Sequence, residues 1–116
     1  MKRRFFLFAA LLFLMLSFTA HAASTAYYAN PSLSFSGTTA YCSVVCRGDN
    51  TSDTISATLT LYQGSTEIDS WSNSGTIRVP VSGSCGVVSG VTYRLELTWT
   101  VNGVAQPDVE VTNTCP

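Results

Sequence analysis

A strict two-residue alternation limits what this chain can fold into more than any other feature. Val91, Tyr93, Leu95, Leu97, Trp99 and Val101 alternate with Thr92, Arg94, Glu96, Thr98 and Thr100. The same period runs through Ile55, Ala57, Leu59 and Leu61, with Thr54, Ser56, Thr58, Thr60 and Tyr62 between and around them, and again through Ala40, Cys42, Val44 and Cys46. Successive side chains of a strand point to opposite faces, so these runs describe strands with one face buried and one wet. Short polar groups that suit tight turns separate the runs: Gly48-Asp49-Asn50, Gln63-Gly64-Ser65, Asn73-Ser74-Gly75 and Asn102-Gly103. Leu33–Phe35, Thr66–Trp71, Ile77–Val81 and Val109–Thr114 complete the set of expected strands. The reading is an all-β, antiparallel β-sandwich of about seven strands over residues 33–116, preceded by a loose leader at 23–32.

The start of the chain reads differently. Met1-Lys2-Arg3-Arg4 is followed by an apolar run from Phe5 to Leu16 and a small-residue end, Ala20-His21-Ala22. That order predicts a signal peptide over 1–22 and a secreted, extracellular product. The twelve-residue apolar run is too short for a transmembrane helix, which needs ~20 residues. No membrane span is expected in the exported form.

The only lysine and the only histidine, Lys2 and His21, lie in that first segment. Residues 23–116 hold Arg47, Arg78 and Arg94 against seven carboxylates, a net charge of −4, which argues against a nucleic-acid partner. Without histidine or lysine the domain cannot assemble a Ser-His-Asp or Cys-His nucleophile, a Schiff base, a phosphate-binding lysine loop or a lysine isopeptide bond. No cofactor and no metal are expected, and the chain is read as not an enzyme. Paired carboxylates are the one remaining catalytic route, that of a small glycosidase. The pairs are Glu67/Asp69 and Asp108/Glu110, and solvated strand-edge charges are the expectation for both.

Cys42, Cys46, Cys85 and Cys115 all fall after the signal segment, and an even count in a short exported chain predicts two disulfides. Zinc is disfavoured because there is no Cys-x-x-Cys pair. Cys42 and Cys46 stand ~13 Å apart on one strand face, beyond the ~7 Å reach of a disulfide. Two connectivities remain, Cys42–Cys115 with Cys46–Cys85 and Cys42–Cys85 with Cys46–Cys115.

Ser89-Gly90-Val91-Thr92-Tyr93-Arg94-Leu95 resembles the corner before the sixth strand of fibronectin-III-like and immunoglobulin-like domains. The resemblance implies that Tyr93 is buried and bonds back to the backbone upstream. Ser36-Gly37-Thr38-Thr39-Ala40, Leu59-Thr60-Leu61-Tyr62-Gln63-Gly64-Ser65 and Ser70-Trp71 look like small secreted β-sandwich proteins of Gram-positive bacteria. That likeness implies an immunoglobulin-like sandwich and carries no activity with it. The strand order it implies favours Cys42–Cys115 over the other connectivity. The strand from Thr54 to Gln63 departs from antibody domains in lacking a tryptophan.

Several motifs remain as binding features. Arg47-Gly48-Asp49 spells an integrin-recognition tripeptide, although Gly-Asp-Asn is also ordinary turn chemistry. Asp49, Asn50, Ser52 and Asp53 offer oxygens without the spacing of a calcium loop. Asn50-Thr51-Ser52 fits a glycosylation sequon. Tyr62, Trp71 and Tyr41 are the aromatics expected off the main inward faces; together they would stack on sugars or anchor a protein. The functional expectation is a non-catalytic extracellular interaction module for a glycan or protein surface. Its alternative is a structural surface component with no discrete site.

Overall fold

Residues in the left-handed backbone region close the hairpins. In the computed structural model, which describes residues 27–116, Gly37 (φ 60°) turns between β2 (Ser32–Ser36) and β3 (Thr39–Arg47). Asn102 (φ 53°) and Gly103 (φ 81°) turn between β7 (Thr92–Val101) and β8 (Val104–Ala105). Two positive φ values in succession match the twist of a two-residue hairpin, which is why Asn-Gly stands there. The remaining strands are β1 (Tyr28–Ala29), β4 (Thr54–Gln63), β5 (Thr66–Thr76), β6 (Arg78–Gly86) and β9 (Val109–Thr114).

All pairings are antiparallel and form two sheets. In the first, β3 is central, with β1 and β2 on one side and β6 on the other. In the second, β5, β4 and β7 lie in order, and both β8 and β9 pair with the far side of β7. Pro80 lies on β6, an edge strand, where a residue without an N–H costs no ladder bond. The two sheets bury one core, drawn from Ala40, Cys42, Val44 and Cys46 of β3, the odd residues of β4 from Ile55 to Leu61, and Tyr93 to Val101 of β7. The alternation therefore sets the inward face of all three strands.

Tyr93 is 2 % exposed, and the Val88 amide donates to its hydroxyl at 2.8 Å, five residues upstream. An asparagine ties the sheets together at each open edge. Asn113 Nδ2 on β9 donates to the Leu33 carbonyl on β2 at 3.1 Å, and Asn73 Nδ2 on β5 donates to the Pro80 carbonyl on β6 at 2.8 Å.

Three expectations need correction. Asn73-Ser74-Gly75 is strand, paired with Ala57, Ser56 and Ile55, because Ser70, Ser72 and Ser74 continue an outward hydroxyl row beside β4. The turn falls instead at Ile77, which takes φ 57°. Trp71 consequently lies in the middle of β5, opposite inward-facing Leu59, rather than at a strand end. Finally, pairing begins within the leader, where Tyr28 faces Arg47 and Ser32 faces Ser43. The expected signal peptide, 1–22, lies outside the described residues.

Candidate binding face

The three aromatics singled out in the sequence are not brought together. Tyr41 is half exposed on the outer face of the β3 sheet. Tyr62 is on the outer face of the β4 sheet, with the Arg94 guanidinium 4.3 Å above its ring. Trp71 sits at the open edge between the sheets, its indole lying against Gly83 so closely that a Cβ there would overlap it.

The outer face of the β3 sheet gathers a different set. Register places Tyr28, Arg47 and Arg78 in one row, Val45 opposite Pro80 in the next, then Ser32, Ser43 and Ser82, then Ser34, Tyr41 and Ser84. Tyr28 and Tyr41 are 55 % and 50 % exposed. Six residues of β3 separate their rows, ~20 Å at the strand rise. Two shallow depressions share Ser43. One, of about 260 Å3, is lined by Tyr28, Asn30, Val45 and Arg47; the other, of about 340 Å3, by Tyr41, Ser82, Gly83 and Ser84.

Like charges directly opposite each other on a sheet are unfavourable. Arg47 and Arg78 are such a pair, and neither forms an ion pair among the described residues. The first 26 residues contain no Asp or Glu to supply one. Sequence reasoning missed this pair because the two arginines are distant in the chain, and only the β3–β6 register joins them.

Arg47-Gly48-Asp49 does not stand out as a free tip. Arg47 ends β3, and the Gly48 amide donates to the Ile77 carbonyl at 2.8 Å. The Asp49 and Asn50 amides donate to Asp53 Oδ2 at 2.8 and 2.9 Å, while Asn102 Nδ2 donates to Oδ1 at 2.9 Å. The Asn50 amide, then the Asn102 side chain and the Asp49 amide, hold the Asp53 carboxyl below its ordinary range. These donors engage both Asp53 oxygens that the calcium reading would have used.

The carboxylate pairs diverge. Glu67 is opposite outward Tyr62 and Asp69 opposite inward Leu61, across a bulge, so the two point to different faces. Glu110 faces Glu96 on the outer side of β7 and β9, and Asp108 lies in the loop before β9.

All four cysteines are free thiols in this structure. Cys46 is opposite Val79, six residues along β6 from Cys85, ~20 Å away and beyond a disulfide's reach. Cys115 sits by the β2–β3 turn, its Sγ 3.4 Å from the Gly37 carbonyl, at the other end of β3 from Cys46. This register disfavours the expected Cys46–Cys85 bridge and equally the alternative Cys46–Cys115. No protein-family model matches this chain, and no curated protein is similar to it.

Proposed function

We propose that this chain is a secreted, non-catalytic interaction module that holds an anionic glycan on the outer face of the β3 sheet. One observation carries the reading: Arg47 and Arg78 face each other without an ion-pair partner among the described residues. Guanidinium forks donate to carboxylates and sulfates in a bidentate manner, so an anionic ligand would relieve the repulsion that folding creates. Tyr28 shares the row and Tyr41 lies ~20 Å away along β3, a span that suits an extended chain better than a single sugar. Ser32, Ser43 and Ser82 between them, with Ser34 and Ser84 beside Tyr41, make no side-chain hydrogen bonds among the described residues and are free to bond sugar hydroxyls.

The basic, apolar and small-residue order of the first 22 residues supports export. An immunoglobulin- or fibronectin-III-type sandwich is supported by the division into β2, β3 and β6 against β5, β4, β7 and β9, and by the Tyr93 corner. Four cysteines in the exported part support stapling by oxidation. The non-catalytic reading rests on the absence of histidine and lysine from residues 23–116 and on the divergent carboxylates.

An array of neutral, carboxylated and sulfated glycans, probed with the folded domain, tests this reading. Binding is expected to the anionic members only, with a loss of at least tenfold in Arg47→Ala/Arg78→Ala. Binding to neutral glycans that ignores both arginines, or to none, would overturn it.

A further inference from the structure

The register that separates Cys46 from the other cysteines brings two of them close. Cys42 is opposite Gly83 and Ala40 opposite Cys85, so Cys42 and Cys85 are diagonal neighbours on the inner face of β3 and β6. Diagonal positions are ~7–8 Å apart at the backbone and less at Cβ, while bridged cysteines have Cα separations up to ~7 Å. Bringing the two Cβ atoms from the diagonal spacing to the ~4 Å of a bridged pair takes a local shift of ~2–3 Å. Glycines on β6 make that adjustment easy, with Gly83 directly opposite Cys42 and Gly86 immediately after Cys85. Asp69 reaches the same spot from β5, and the Trp71 indole lies over Gly83.

We infer that oxidation forms a single cross-strand disulfide, Cys42–Cys85, beneath Trp71, and leaves Cys46 and Cys115 as buried thiols. Cys85 is the half-buried, reachable member, and Cys42 is only 2 % exposed. The Cys85 thiolate attacks one sulfur of a low-molecular-weight disulfide R–S–S–R, such as oxidised glutathione, and expels R–S⁻. The Cys42 thiolate then attacks the Cys85 sulfur of the mixed disulfide and expels the second R–S⁻. Two S–H bonds are lost and one S–S bond forms. Two electrons reduce R–S–S–R, which takes both protons and leaves as two R–SH.

The surroundings favour the bonded state. Burial, then Cys85 and Asp69 beside it, push the Cys42 thiol up to about 12, and burial with Asp69 also raises Cys85. Thiols that resist ionisation are poor leaving groups, so the bridge resists exchange once formed. It would pin β3 to β6, the edge strand that carries Arg78, Ser82 and Ser84.

Non-reducing peptide mapping decides the point. Purified protein is equilibrated with oxidised glutathione, alkylated in denaturant and digested with trypsin. Cleavage after Arg47, Arg78 and Arg94 puts Cys85 in 79–94 and Cys115 in 95–116, and keeps Cys42 and Cys46 on one peptide. The expected result is a fall from four alkylatable thiols to two, with 79–94 linked to the peptide ending at Arg47. That link should persist in Cys46→Ser and vanish in Cys42→Ser. If Cys42→Ser does not fold, fragmentation of the wild-type linked peptide between Cys42 and Cys46 assigns the sulfur. A link through 95–116, a link assigned to Cys46, or four alkylated thiols after oxidation would each overturn the inference.

Discussion

The two outer faces each contain a cross-strand pair of like charges, and the chain treats the pairs in opposite ways. On the β4 sheet Glu96 faces Glu110, and Arg94 bridges both, at 3.4 and 3.3 Å. Arg94 also covers the Tyr62 ring, and the neighbouring hydroxyls bond to one another, Thr58 to Ser72 at 2.9 Å and Thr92 to Thr114 at 2.8 Å. On the β3 sheet Arg47 faces Arg78 with no such bridge, and the serines two rows along bond to no side chain, among the described residues. One face satisfies its own polar groups and the other leaves them open. A net charge of −4 over residues 23–116 hides this, because the carboxylates of the strands lie on the β4 side or point inward.

Both faces hang on one core, so damage to that core should disrupt both together. Tyr93→Ala removes a buried ring and the corner bond together, and a loss of ~3–5 kcal/mol is expected in denaturant melts. Tyr93→Phe should cost only ~1 kcal/mol. The hydroxyl accepts from the Val88 amide, so its loss strands a donor, not an acceptor, and Val88 is exposed enough for water to replace the bond. A neutral Tyr93→Ala would contradict the inward register of β7.

Gly83→Ala puts a methyl group where the Trp71 indole lies, at the edge joining the two faces. The ring must move, and overpacking of this kind costs ~1–3 kcal/mol. A matching change in tryptophan fluorescence is expected; an unchanged spectrum and stability would show that the indole is not seated there.

The charge pairs give a smaller effect that differs in sign. Arg94→Ala leaves Glu96 and Glu110 facing each other unscreened, and should destabilise by ~0.5–1 kcal/mol at low salt. Arg47→Ala relieves a repulsion and should be neutral or stabilising by up to ~0.5 kcal/mol. Added salt should shrink both differences. Equal destabilisation by the two variants would erase the distinction between the faces.

The smallest effect is confined to the loop beside the arginine row. Because the folded Asp53 carboxyl titrates below its unfolded value of ~3.9, its contribution is present above that pH and lost as pH falls through the lower folded value. Protection of the Asp49 and Asn50 amides, measured as exchange relative to the intrinsic rate at each pH, should fall in acid, while the amides of β4 and β7 stay protected. In Asp53→Asn the protection of those two amides should already be low at neutral pH and should no longer depend on pH.

Much of the fold was legible because its signals are local. Alternation fixed the faces of β3, β4 and β7, Asn102-Gly103 the last hairpin, and Tyr93 the corner. Asn73-Ser74-Gly75 misled because its turn-like composition serves an edge strand, where serines pair with the hydroxyls of β4 and Gly75 makes room for Val79. The candidate face was illegible for a different reason. Whether Arg78 meets Arg47, or Cys85 meets Cys42, depends on which strands share a sheet and in what register, and no local spacing encodes that. Tyr41, Tyr62 and Trp71 were each seen individually, but their separation onto two faces and an edge follows from the same non-local pairing.

On the proposed function, the uncompensated face of the β3 sheet receives an anionic glycan. A titration of isotope-labelled protein with a soluble sulfated polysaccharide, followed by amide chemical shifts, tests it most directly. Shifts are expected to concentrate on Tyr28, Tyr41, Ser43, Arg47 and Arg78 and to weaken as salt is raised. Shifts centred on β4, β7 and β9, or none with either a sulfated or a carboxylated polymer, would contradict it.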